Sequence, residues 1–118
     1  MTERIAALAR TLGNAGADEM EALTAAAEAA EQELRRALRP GVSAEQCASA
    51  FALAGAWLTL AALETCRSAA GEESFTAGDL TVRGGDGARR ADELRAKAWK
   101  LMSAWTKYRR FAFYGVRG

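Results

Sequence analysis

The apolar positions of the chain follow two rhythms, and the switch between them sets the expected architecture. Ile5, Leu8 and Leu12 recur at helical spacing over residues 2–12. Thr2 is placed to cap that helix, and Gly13 suits the left-handed position after its end. Asn14-Ala15-Gly16-Ala17 reads as a short connection to Asp18, which has Glu21 three places on, the spacing of a capping box. Met20, Leu23, Ala27, Ala30, Leu34 and Ala37 then step by threes and fours. This narrow seam of mostly small residues predicts a helix over 18–38, with Glu28, Glu31, Glu33, Arg35 and Arg36 off the seam. Pro40-Gly41, holding the only proline, breaks the pattern.

Ser43-Ala44-Glu45-Gln46 is a regular capping box, with Val42 and Cys47 spaced as a hydrophobic staple, and it opens a helix expected over 43–69. No charge occurs from Cys47 to Leu63, and Phe51, Leu53, Trp57, Leu58, Leu60 and Leu63 spread around most of the helix. The pattern is that of a central helix buried on most sides. These 17 charge-free residues fall short of the roughly 20 that cross a bilayer, and no membrane partner is expected.

After Gly71 the rhythm shortens from helical to alternating. Ser74 to Ala77, the pair Gly78-Asp79, and Leu80 to Arg83 predict a β-hairpin over 74–83, with Gly78 opening a type II′ turn. In that register Phe75 faces Val82 and Ala77 faces Leu80, while Ser74, Thr76, Thr81 and Arg83 take the other side. A lone two-stranded hairpin is barely stable in water, so its apolar side must rest on a helix or another chain. Gly84-Gly85-Asp86-Gly87 reads as a flexible connection, with Asp86 placed to cap a last helix over 87–109. That helix carries Ala91, Leu94, Ala98, Leu101, Trp105 and Tyr108 in three-four steps, widened by Trp99 and Met102. Residues 111–118 read as an extended C-terminal arm. The expected fold is a single, mostly all-α domain over 1–118: about four helices, one β-hairpin between the third and fourth, and the arm.

Composition narrows the chemistry. Half of the 118 residues are apolar, but only 30 are larger than alanine, so the core is thin and completes itself against copies or partners. The absence of histidine removes His-based acid–base pairs, the Ser-His-Asp triad and His-containing zinc sites, and two cysteines are too few for an all-thiolate zinc site. Cys47 and Cys66 on one helix would stand about 28 Å apart, beyond disulfide reach, and two free thiols point to a reducing compartment. The charged opening MTERIAALAR lacks the apolar run of a signal peptide. No enzyme activity, cofactor or metal is expected.

Charge is balanced overall at +1 but split along the chain: residues 1–73 carry −5 and residues 74–118 carry +6. Such a chain suits association in which basic parts meet acidic parts of a neighbour. Arg89, Arg90, Arg95, Lys97, Lys100, Lys107, Arg109 and Arg110 interleave with Trp99, Trp105 and Tyr108, a pattern compatible with a phosphate backbone and stacked bases, although the aromatics lie on or beside the apolar seam. Gly84 to Gly87 has neither the spacing nor the Lys-Ser/Thr of a P-loop. Asp18, Glu19 and Glu21 at a helix start are explained by the helix dipole and need no metal. The run Phe111, Phe113, Tyr114, Val116 and Arg117 is costly to leave in water and has the composition of an interface centre. It is read as docking on another protein, the other reading being that it folds back over its own helices.

The order of elements, with the segment Glu73-Ser74-Phe75-Thr76-Ala77-Gly78-Asp79-Leu80-Thr81-Val82 and the helix around Leu94, Ala98 and Leu101, resembles the head–tail connector (adaptor, or head-completion) proteins of long-tailed phages and related prophage or gene-transfer particles. The likeness covers nearly the whole chain in layout and positions 73–83 and 91–118 by residue. It implies a small, mostly helical, non-enzymatic virion subunit, assembled in the host cytoplasm. About a dozen copies would form a ring below the portal protein, extend the DNA channel without specific recognition of DNA, and seat the next neck or tail protein. Inter-subunit and portal contacts would fall on Phe75, Leu80 and Val82 and on Arg109, Arg110, Phe111, Phe113, Tyr114, Val116 and Arg117. The Gly84–Gly87 connection and the strongly basic last helix have no counterpart in that pattern. Alternatives are a small nucleic-acid-binding regulator using the basic last helix, and another neck or tail-completion protein.

Overall fold

The computed structural model describes residues 1–74 and 77–107, over 68–74 and 77–86 as backbone only. Four helices make up the described part: α1 (Thr2–Gly13), α2 (Met20–Ala37), α3 (Ala48–Ser74) and α4 (Ala77–Leu101). The mostly helical expectation holds. Among the described residues there is no strand, only an isolated antiparallel bridge between Leu38 and Thr106.

Local chemistry explains each boundary, and not always as the pattern suggested. Thr2 does not cap α1; its hydroxyl donates to the Glu31 carboxylate on α2. Asn14, not Gly13, takes the left-handed conformation after α1, at φ 49°, a position asparagine tolerates. Gly13 is needed for space instead, since a Cβ there would collide with Cδ2 of Leu60. The box expected at Asp18 and Glu21 lies two residues earlier: the Gly16 N–H donates to Glu19 Oε1 at 3.1 Å, and a 3₁₀ turn over Ala17–Glu19 leads into α2. The box at Ser43 forms as read. Gln46 N–H donates to Ser43 Oγ at 3.3 Å, and Ser43 N–H donates to Gln46 Oε1 at 2.8 Å. A 3₁₀ turn over Ala44–Cys47 then opens α3.

The core is organised around α3, which packs against all three other helices. Phe51, Ala54 and Leu58 of α3 are buried in one cluster with Ile5, Ala27, Ala30, Leu34, Ala98 and Met102. Ala56, Leu60 and Leu63 are buried with Ala9 and Leu23 in a second. The α2 seam is buried as expected at Leu23, Ala27, Ala30, Leu34 and Ala37. On α1 the buried pair is Ile5 and Ala9, while Leu12 is 53% exposed. The stretch Ala44–Arg67, at 24 residues, is long and apolar enough to cross a membrane by length and composition alone, and 61% of its apolar window is buried in the bundle.

The largest departure concerns residues 74–83. Ser74 ends α3 and residues 77–83 are the first turns of α4, so the backbone places Leu80 and Val82 on a helix, not on a second strand; Phe75 and Thr76 lie outside the described residues. A hairpin without a third strand or a covering helix leaves half its backbone groups to solvent, whereas a helix satisfies them locally. The last helix also stops early, at Leu101 against an expected 109. Turns carry the chain through Ser103 and Trp105, whose N–H groups donate to the carbonyls of Lys100 (3.2 Å) and Met102 (3.0 Å). The chain then pairs with the end of α2: Arg39 N–H donates to Trp105 O at 3.0 Å and Lys107 N–H to Ala37 O at 2.8 Å. Those bonds satisfy groups that the end of α2 would otherwise leave open.

Candidate interaction surface

Of the ten residues singled out for partner contacts, Phe75, Arg109, Arg110, Phe111, Phe113, Tyr114, Val116 and Arg117 lie outside the described residues, as does the whole arm over 111–118. Leu80 and Val82 fall on the backbone of α4. The chain is described as far as Lys107. Thr106 is buried and its hydroxyl donates to Met102 O at 3.0 Å. With the flanking bonds to Ala37 and Arg39, this holds residues 105–107 beside the end of α2.

Packing redistributes the charge that the sequence divides into an acidic and a basic part. Where α1 turns into α2, Arg67 of α3 donates through Nε to Glu19 Oε2 at 2.7 Å and through a terminal nitrogen to Glu19 Oε1 at 2.8 Å; a third bond reaches Gly13 O at 3.2 Å. Glu64 lies 3.8 Å from the same guanidinium and accepts from Arg90 of α4 at 3.0 Å. Two acids and two cations thus tie the α1–α2 corner to α3 and α4. The two hydrogen bonds from Arg67, helped by the Gly16 N–H, hold the Glu19 carboxyl at about 2, well below its ordinary 4.5. The same pairing pushes Arg67 further up. Glu19 is therefore half of a bidentate pair. Among the described residues no group of three or more His, Cys, Asp or Glu side chains is placed to hold a metal ion.

Several cations of α4 are also engaged. Arg90 is held by Glu64, Lys97 sits 5.7 Å from the Trp57 ring centroid, and Arg89 has a partner too. Toward the other end, Arg35 bonds Glu31 at 2.8 Å and lies 5.6 Å from the Phe51 ring centroid. The hydrogen bond from Thr2, then that from Arg35, lowers the Glu31 carboxyl. Arg36, Arg39, Lys100 and Lys107 are exposed and form no ion pair with another described residue. The backbone pairing sets Arg39 and Lys107 diagonally across the bridge. Two arginines from the nominally acidic part of the sequence thus join the C-terminal lysines at one end of the bundle. A count of charge by chain segment missed this grouping, because it depends on which helix ends the turns bring together.

The two thiols are free, Cys47 buried and Cys66 exposed. Burial pushes the Cys47 thiol up and keeps it protonated, and its sulfur faces Ser43 O at 3.7 Å. Every buried side-chain N or O atom among the described residues has a hydrogen-bond partner. The described surface therefore offers charged ends and a segment, residues 105–107, held against the end of α2. Compared with protein-family models, curated proteins and solved structures, the chain matches none.

Proposed function

We propose that the chain is a structural subunit of a phage neck. It would be a head–tail connector of a long-tailed phage or a related prophage or gene-transfer particle, incorporated in the virion after assembly in the host cytoplasm. In this reading about a dozen copies form a ring under the portal protein, DNA passes through the channel without sequence recognition, and the arm docks on the next neck or tail protein. The observation that supports it best is the hold on residues 105–107. Residues 105–107 are bonded to the end of α2, so the last described residues before the proposed arm are held on the bundle. A hold so close before the arm in sequence reduces the conformational freedom lost when such an arm seats in a neighbour.

The proposed hairpin contact at Phe75, Leu80 and Val82 requires residues 77–83 to leave the helix when a neighbour supplies the missing surface. The arm is the more direct test. Phe111→Ala, Phe113→Ala and Tyr114→Ala, combined in the tagged chain, should give a folded subunit that is absent from particles purified after prophage induction. The unaltered chain should label the junction of head and tail in electron micrographs. Normal incorporation of the triple variant would remove the arm from the mechanism. Particles free of label, with the chain recovered on nucleic acid, would replace the connector reading with that of a regulator.

A further inference from the structure

The outward face of α2 carries opposite charges toward its two ends, with alanines among the residues between them. Glu21, Ala25, Glu28 and Gln32 follow one another in steps of three and four on the side opposite the buried seam, Arg35 and Arg36 lie three and four places past Gln32, and Ala22 and Ala29 stand beside them; all are exposed. Arg39 follows just past the helix end and is exposed as well. The helix dipole accounts for an acid in the first turn and a base in the last. It does not reach Glu28, two turns in, nor does it explain why Ala22, Ala25 and Ala29 are exposed between the ends. Glu21 and Glu28 have no ion-pair partner among the described residues, and neither have Arg36 and Arg39.

We propose that a second copy of this chain covers that face, with its own α2 running antiparallel about a two-fold axis. Orientation decides the matter. Parallel neighbours would set Glu21 and Glu28 against the same acids and Arg36 and Arg39 against the same arginines. Reversing one copy about an axis beside Gln32 brings both acids close, along the helix, to both arginines, twice over. The contact is small. A helix of 18 residues offers a strip about 27 Å long and 10 Å wide, well under the roughly 800 Å² per partner of a stable complex. Exposed ion pairs are individually weak and screened by salt. The pairing is therefore a weak, rapidly exchanging dimer, and it stands independently of the connector reading.

Sedimentation equilibrium of the full chain, at low and high salt and at concentrations up to about 0.5 mM, tests it. At low salt the average mass should climb from 12.6 kDa toward twice that value, and the climb should vanish at about 0.5 M salt. The pair Arg36→Glu and Arg39→Glu, and separately the pair Glu21→Arg and Glu28→Arg, should each stay monomeric. An equimolar mixture of the two variants should associate one to one, which also shows that both are folded. A wild-type chain that stays monomeric throughout, a dimer indifferent to both reversals, or growth past the dimer would each overturn the proposal. Loss of particle incorporation bears on the connector reading alone.

Discussion

Gly55 of α3 lies against Ile5 of α1. A Cβ at that position would lie 2.6 Å from Cδ1 and 2.8 Å from Cγ1 of Ile5, itself fully buried. Isoleucine is stiff at χ1 and cannot simply swing away, so Gly55→Ala forces α1 off α3. Alanine improves helix propensity by about 1 kcal/mol, but overpacking in a tight core costs about 1–3 kcal/mol. The expected outcome is a net loss of up to about 2 kcal/mol in urea unfolding, with partial recovery when Ile5→Val is added. An unchanged or raised midpoint for Gly55→Ala would show that α1 adjusts freely. Nothing in the one-dimensional pattern marks this glycine as a packing residue. In sequence it is a small residue inside an alanine-rich run, and its role depends on which helix lies across it.

Among the elements, α2 and the start of α3 were the most legible. A periodic seam and a capping box are local, and Leu23 to Ala37 and Ser43 with Gln46 are found as read. Legibility failed where the outcome depends on partners distant in sequence: Glu19 is claimed by Arg67, and the end of α4 is replaced by pairing with Leu38 and Arg39. It failed most at residues 77–83, where alternation and a Gly-Asp turn compete with a helix. Gly78 separates the two outcomes by sign. In the helical backbone of α4, Gly78→Ala should stabilise the chain by about 0.5–1 kcal/mol through lower unfolded-state entropy and better propensity. In a type II′ hairpin the same position needs positive φ, and alanine there destabilises. Urea midpoints of the isolated chain should therefore rise. A fall would restore the hairpin, and with it contacts through Leu80 and Val82 as first expected.

At the scale of the whole molecule, a core with few large side chains must be held at its corners. Phe51, Ile5, Leu23, Leu34 and Met102 are the only apolar side chains larger than alanine among the most completely buried of the described residues. The pairing of Arg67 with Glu19 and Glu64, and of Glu64 with Arg90, joins the α1–α2 corner to both long helices. Acid should therefore loosen the molecule through this corner. The folded state holds the Glu19 carboxyl at about 2 against an ordinary 4.5. A group depressed in this way stabilises the fold fully above its ordinary value, and that contribution is lost as pH falls toward the folded value. Stability should decline between about 4.5 and about 2, with Glu31, also lowered by Thr2 and Arg35, contributing part of the slope. Glu19→Gln should be less stable than wild type at neutral pH, show a shallower decline on acidification, and converge with wild type at the acid end. Arg67→Met should flatten the curve in the same way, because Arg67 is the main source of the shift. Thermal unfolding followed across this range decides it: if Glu19→Gln keeps the full wild-type slope, the corner is not where acid acts, and the thin core must be held together elsewhere.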